Sequence, residues 1–481
     1  MVRAYLKEYN LGDKFHLINR LTRSLEQAAG AGDIETVKAL IDGNVRIRVR
    51  QTNGNIPIED DGGPLLESAL HKAAEMGQVD ILALLLDRTE APTLLDRVNL
   101  SGETALYAAV RQREIKTASL LVRNGANPDL FPGSIGVPAI CSAADKGDLE
   151  LIMLLGDAGA NVNAWRHTDG ASALAIASLR GDLEVVSYLL HKGANMNMST
   201  KSSGSPPLLL AACSGHVGVI SELLHYGAPI NNSKNNSGAS PLFIAAQIGH
   251  FHAVQRLVEN GADVNQKRAS DGTTPLHIAA QKGFLEIVTF LCDSGARMTR
   301  DALSAAIIQG HYDITRYLVE EGVVAQASDL IVAAMKSHHT IVSLLIDAGV
   351  PVASPKSTAA QKTALYYIIK KKASPECVRA LLEKGARLDI RTPRTSKTLP
   401  YLASKKRNLA VLKLLLEFAK KGNVKLDIDV PDWKGRTPLW YGARYGQVKI
   451  IKLLLRRGAR ISAADNKARS CIDIASQKGK N

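Results

Sequence analysis

The chain is poor in the residues that mark many ways of building or using a protein. Only 5% of its 481 residues are aromatic although 46% are apolar. The core must therefore be filled by Leu, Ile, Val and Ala, which suits thin layers of helices. The five cysteines, Cys141, Cys213, Cys292, Cys377 and Cys471, lie far apart with no C-x-x-C pair. That spacing speaks against a disulfide framework and a zinc site, and reads as reduced thiols inside a cell, in cytoplasm or nucleus. "MVRAYLKEYN" carries charge where a signal peptide needs its apolar stretch, and no run approaches the roughly 18 apolar residues of a membrane span. Nothing resembles a P-loop, a G-x-S-x-G elbow, H-E-x-x-H or a kinase signature. The expectation is a protein that is not an enzyme and not transmembrane, with no catalytic residue, metal or cofactor.

What is present is repetition. Gly125, Gly159, Gly193, Gly227, Gly261 and Gly295 each end an apolar run and follow one another at 34 residues. Between them stand "SGETALYAAV", "GVPAICSAA", "DGASALAIAS", "GSPPLLLAA", "SGASPLFIAA" and "DGTTPLHIAA", versions of one phrase. Each position has a mechanical reason. Asp271-Gly272 supplies the backbone freedom of a tight turn between two short extended arms. Thr274 offers an oxygen to the free amides of a helix start, and Pro275 takes the first helical position, where a missing N–H is harmless. Leu276, Ala279 and Ala280 share a face, the alanines letting another helix come close. Gly283 ends that helix, Leu285, Ile287, Val288 and Leu291 form the apolar stripe of a second, and Gly295 ends it. One unit is hairpin, helix, turn, helix.

"DGTTPLHIAAQKGFLEIVTFLCDSGA" resembles an ankyrin repeat, with one residue beyond the family's usual 33 in the hairpin loop. The resemblance implies an all-α repeat solenoid of stacked ankyrin helix-turn-helix units with short β-hairpin fingers. About thirteen or fourteen units cover residues 25 to 479. Residues 1–24, with Phe15, Ile18, Leu21 and Leu25 at helical spacing, read as an N-terminal capping helix or a partner-binding helix. Ankyrin repeats follow over 25–299, regular from about 100. Two short units without the Asp-Gly turn and the Thr-Pro cap fill 300–350, and a basic set with a C-terminal cap fills 351–481.

Single residues with chemical appeal have plainer explanations. His338 and His339 are adjacent and so point to different sides of a helix, which suits polar positions better than a metal ligand pair. His277 occupies a structural hydrogen-bonding position of the family, and Cys213 reads as a small apolar filler rather than a reactive thiol. The runs "KKK" at 370–372 and "KKR" at 405–407 resemble nuclear localisation signals or are simply basic helix ends. Charge is unevenly placed: the chain carries +14 overall, yet residues 356–481 hold 30 Lys+Arg against 9 Asp+Glu.

The resemblance further implies that hairpin tips and the exposed side of each first helix line one concave surface that binds another protein. Carried over position by position, it nominates Leu179, Arg180, Cys213, Ser214, Gln247, Ile248, Gln281 and Lys282 on first helices, and Trp165, Arg166, Lys267 and Arg268 on hairpins. Trp433, Lys434, Arg436, Arg444 and Tyr445 form a late set, with Trp and Arg the commonest interface anchors; Trp433 reads equally as an anchor or as a filler between fingers, and Trp440 more readily as a filler. Asn163, Asn197, Asn231 and Asn265 match a position hydroxylated in some family members and otherwise bonded to the hairpin. The expected role is a monomeric scaffold or adaptor for a protein partner. The alternative is binding of an acidic protein, nucleic acid or anionic lipid through residues 356–481.

Overall fold

A computed structural model describes residues 11–42, 63–87, 94–99, 101–130, 136–232, 235–352, 363–371, 375–390, 397–422 and 426–477. The side chains of Phe15 and Ile18 and the lysine at 372 lie outside the described residues. Among those described there are 27 helices, thirteen antiparallel pairs followed by the single helix Cys471–Gln477. Contacts divide the chain into two compact units, Met1–Gly272 with the first seven pairs and Thr273–Asn481 with the rest. Within each unit the first helix of a pair, here called inner, packs on the next inner helix, and the outer helix on the next outer helix. No described helix is long and apolar enough to cross a membrane.

The local chemistry explains the regularity. Hydroxyls of Thr104, Ser172, Ser240 and Thr274 accept the backbone N–H three residues on, at 3.1 to 3.3 Å, and so start the inner helices Ala105–Gln112, Ala173–Arg180, Pro241–Ile248 and Pro275–Lys282. The paired alanines are sealed: Ala211, Ala212, Ala245 and Ala246 are all fully buried in the first unit, as are Ala279 and Ala280 in the second. Outer helices contribute Val186, Leu189, Ile220 and Leu257 to the same core. Since a side chain no larger than methyl separates neighbouring inner helices, they approach closely, and much of each unit's stability is contact between neighbours.

Two ladders pin the pairs to one another. His216 and His250 start outer helices, and the Nε2–H of each donates back to the carbonyl of Leu179 (3.1 Å) and Cys213 (3.0 Å) on the inner helix of the preceding pair. His311 and His338 repeat this in the second unit, to Gln281 (3.1 Å) and Ile308 (3.3 Å). His338 is thus a bridge, and His339 turns to another side. On the fingers, Asn163 Oδ1 accepts from the Asn195 amide at 2.7 Å, and Asn231 Oδ1 from the Asp263 amide at 3.0 Å.

The fingers are turns more than sheet. Among the described residues only two antiparallel bridges occur, Val98 with Thr104 and Trp165 with Ser172. Such short arms cannot build a ladder, so an acidic or amide side chain holds the tip. Asp432 accepts the amides of Lys434 (2.9 Å) and Arg436 (3.0 Å), and its carboxylate pairs with the Arg436 guanidinium at 2.7 Å. Asp465 does the same with Lys467 and Arg469. Around 300–350 the fingers are short: six residues, 294–299, separate Asp293 from the helix Arg300–Gln309, against fifteen, 260–274, one unit earlier. Arg300 reaches the buried Asp329 at 3.2 Å there, a contact between successive inner helices.

Two predictions follow from this packing. Gly215 (φ 75°) and Gly261 (φ 87°) both need the left-handed region, so an alanine strains each by about 1–2 kcal/mol. Only at Gly215 would the new methyl carbon also meet the His250 ring, 2.7 Å from Nδ1, whereas nothing lies within 4 Å at Gly261. Gly215→Ala should lower the urea midpoint clearly more than Gly261→Ala; equal losses would show that the histidine bridge is not a packing constraint. The second concerns pH. Burial alone would raise the Asp432 carboxyl, but the Arg436 guanidinium and the two amides overcome it and hold it below the ordinary value of 3.8. A carboxyl depressed in the folded state stabilises above its unfolded pKa, and that stabilisation fades as pH falls through the folded one. Wild type should therefore exceed Asp432→Asn in stability at pH 7 and lose that advantage towards pH 3, read as urea midpoints at each pH.

Candidate partner-binding surface

The last turn of each inner helix is where packing releases the chain to solvent. Leu179 and Arg180 close the helix Ala173–Arg180, Cys213 and Ser214 the helix Pro207–Ser214, and Gln247 and Ile248 the helix Pro241–Ile248. Arg180 and Cys213 are exposed, Ser214 and Gln247 half-buried. Leu179 and Ile248 are 48% and 43% exposed, although two residues earlier the same helices are sealed. The first unit thus presents a row of side chains at 34-residue recurrence. The histidine bridges fix the backbone of that row, since the carbonyls they hold belong to Leu179 and Cys213. In the second unit Gln281 is half-buried, Lys282 exposed, and His311 holds the Gln281 carbonyl.

On the fingers, Trp165 is 42% exposed beside its bridge to Ser172. Arg166 is committed to carboxylates, with Asp145 at 2.8 Å and Asp169 at 2.7 Å. Burial alone would lower the guanidinium, but those two acids raise it above its ordinary value. Arg268 pairs with Asp271 and lies over the Phe243 ring at 4.8 Å, while Lys267 is exposed. The finger arginines thus brace the turns, while Trp165 and Lys267 stay exposed.

In the late set, cations stand over the rings of Trp433 and Trp440. Trp433 is 57% exposed with the Lys434 ammonium 4.5 Å over its ring. Trp440, by contrast, is 1% exposed and fills the interior, with the Arg436 and Arg444 guanidinium groups 5.5 and 5.4 Å from its ring. Arg436 is taken by the fully buried Asp432 carboxylate. Tyr445 lies under Arg407 at 4.7 Å. Sequence reasoning missed the role of Lys405 and Arg407, read only as part of a basic run. Lys405 Nζ donates to the Tyr401 hydroxyl at 3.3 Å and stands 5.5 Å from the Tyr441 ring. Their signal lay in the repeat register, which puts them at the end of an inner helix like Leu179 and Gly181.

Other reactive groups are subdued. Burial pushes the Cys141 thiol up to about 12 and Cys292 up to about 11, while Cys213 is exposed. No group of three or more His, Cys, Asp or Glu among the described residues is arranged to hold a metal ion.

A family model described as ankyrin repeats in three copies matches residues 25–131, 140–234, 192–268, 208–302, 242–329, 305–392 and 374–465. Over 69 residues, 14% of the chain, the sequence is 39% identical to the ADP-ribosylation factor GTPase-activating protein AGD4 of Arabidopsis thaliana, and the match spans only 8% of that protein. Among solved structures, the human ASB11 ankyrin repeat domain is 23% identical, with a TM-score of 0.40, covering 47% of this chain and 98% of that domain. With matches running from residue 25 to residue 465 over pairs of capped helices joined by turned fingers, the chain belongs to the ankyrin-repeat family.

Proposed function

We propose that the protein is a non-enzymatic scaffold that acts as a monomer inside the cell, in cytoplasm or nucleus, and holds a segment of a partner protein along the ends of its inner helices and the tips of its fingers. Ankyrin repeats are in general protein-interaction modules, and the finer reading rests on one observation. In the first unit, Trp165, Leu179 and Ile248 expose apolar surface at the repeat positions that the core leaves free. Exposed aromatic and aliphatic groups on a rigid frame are what interface anchors require. The frame is rigid because the carbonyls of Leu179 and Cys213 are tied to the next helix pair. A partner laid there gains apolar burial without ordering the scaffold first.

The test is capture of partners from the native lysate by the intact chain and by a Trp165→Ala, Leu179→Ser, Ile248→Ser variant, scored by mass spectrometry. The variant should lose its specific partner at least tenfold, since each anchor contributes about 1–2 kcal/mol, with an unchanged melting curve because none of the three is buried. Undiminished capture would overturn the assignment of this surface.

A further inference from the structure

In the early repeats carboxylates take several inner-face cations; in the late ones Asp432 and Asp465 take Arg436 and Arg469 but leave a second group of cations. Arg111 is shared by Glu75 and Glu103, and Arg166 by Asp145 and Asp169. Arg113 closes its inner helix in the left-handed conformation (φ 66°) and gives its guanidinium to Asp148 of the next pair at 2.8 Å. Arg407 closes the helix Leu399–Lys405 in the same way (φ 59°). In the next pair, however, the position of Asp148 is held by Gln447 and that of Asp145 by Arg444. Among the described residues, Lys405, Arg407, Lys434 and Arg444 have no carboxylate in ion-pair contact. They rest instead on aromatic rings: Arg407 on Tyr445, Lys434 on Trp433, Arg444 on Trp440, and Lys405 near Tyr401 and Tyr441.

An arginine in the left-handed region is strained where glycine would not be, and most other inner helices close on glycine there, Gly147, Gly181 and Gly215 among them. Burial, then the nearby Lys397 and Arg436, push the Lys405 ammonium below its ordinary value. The face therefore carries four cations without a carboxylate in ion-pair contact among the described residues, the nearby Asp432 being taken by Arg436. Of the rings in it, Trp440, Tyr401 and Tyr441 are buried and Tyr445 half-buried, so Trp433 alone is exposed as a stacking platform. Base stacking needs open ring faces, whereas carboxylates need donors held in fixed places.

We propose that this face of the late repeats docks an acidic segment of a partner protein, an extended stretch of Asp and Glu whose carboxylates pair with Lys405, Arg407, Lys434 and Arg444. The inference rests on reading the chain as an interaction scaffold and adds the chemistry of one guest. At Arg407 a guest carboxylate supplies the partner that Asp148 supplies to Arg113 in the early repeats, so the guest completes a pairing already present in the chain. The cations, already seated on rings, lose little freedom when it arrives.

The intact chain should be titrated with a labelled peptide of about ten glutamates, with a single-stranded oligothymidylate of similar charge, and with phosphatidylserine vesicles, following tryptophan emission and anisotropy. The peptide should bind most tightly and perturb the emission, and Lys405→Glu with Arg444→Glu should weaken it at least tenfold. Should that charge reversal disturb the fold by circular dichroism, Arg407→Gln with Lys434→Gln, at exposed positions, should still weaken the peptide at least threefold. Peptide affinity within twofold of wild type in a folded variant overturns the proposal, as does oligothymidylate or vesicle binding tenfold tighter than the peptide. Failure here with lysate capture still dependent on Trp165, Leu179 and Ile248 removes the acidic guest and leaves the scaffold reading intact; loss of that dependence with peptide binding preserved does the reverse.

Discussion

The described helix pairs of the regular repeats bury their alanine faces only because another pair lies against them. Ala211, Ala212, Ala245 and Ala246 have no depth of their own; a methyl group cannot shield itself from water, and a lone pair of eight- and nine-residue helices is too short to persist. Stability therefore comes from neighbours, and each unit is closer to a chain of couplings than to one core. The histidine bridges strengthen the coupling where it is thinnest. The ring of His250 lies so near Gly215 that only hydrogen fits there, and the same ring holds the carbonyl of Cys213. One residue thus links glycine, helix end and exposed side chain.

That economy leaves a surface with two characters. In the first unit, finger and inner-helix arginines are satisfied by acids close by, and Trp165, Leu179 and Ile248 stand exposed. In the late repeats the acids are gone from the matching positions, and cations sit on Tyr445, Trp433 and Trp440 instead. The surplus of 30 Lys+Arg over 9 Asp+Glu across residues 356–481 is in part this replacement, made position by position. A local field of one sign speeds encounter with opposite charge and discriminates against like charge.

Much of the fold was legible because its rules are local. Thr274, Pro275, the alanine pair and Gly283 each declare their place within three or four residues, and repetition multiplies the signal. The fingers were harder. An Asp-Gly turn suggests a hairpin, but whether arms form a ladder depends on their length in space, and the described arms yield two bridges with side-chain clamps such as Asp432 instead. The site was half legible. The register told which residues reach the end of an inner helix, but not that Asp169, Asp271 and Asp432, three or four residues off on the same turns, would close on Arg166, Arg268 and Arg436, nor that Lys405 and Arg407 would have no carboxylate in ion-pair contact among the described residues. Trp433 and Trp440 show the same limit: seven residues apart, one is open to solvent and the other sealed, a difference set by the neighbouring repeat.

The claim that neighbours alone hold each pair is tested most directly by native-state hydrogen exchange on the intact chain carrying Leu189→Ala, a fully buried position in the middle of the first unit. The account predicts lost protection in the helix Leu183–His191 and in the adjoining helices between Ala139 and His225, fading with distance, while helices such as Tyr312–Glu320 keep theirs. Protection falling by the same amount throughout the chain would mean a single cooperative core and would contradict it.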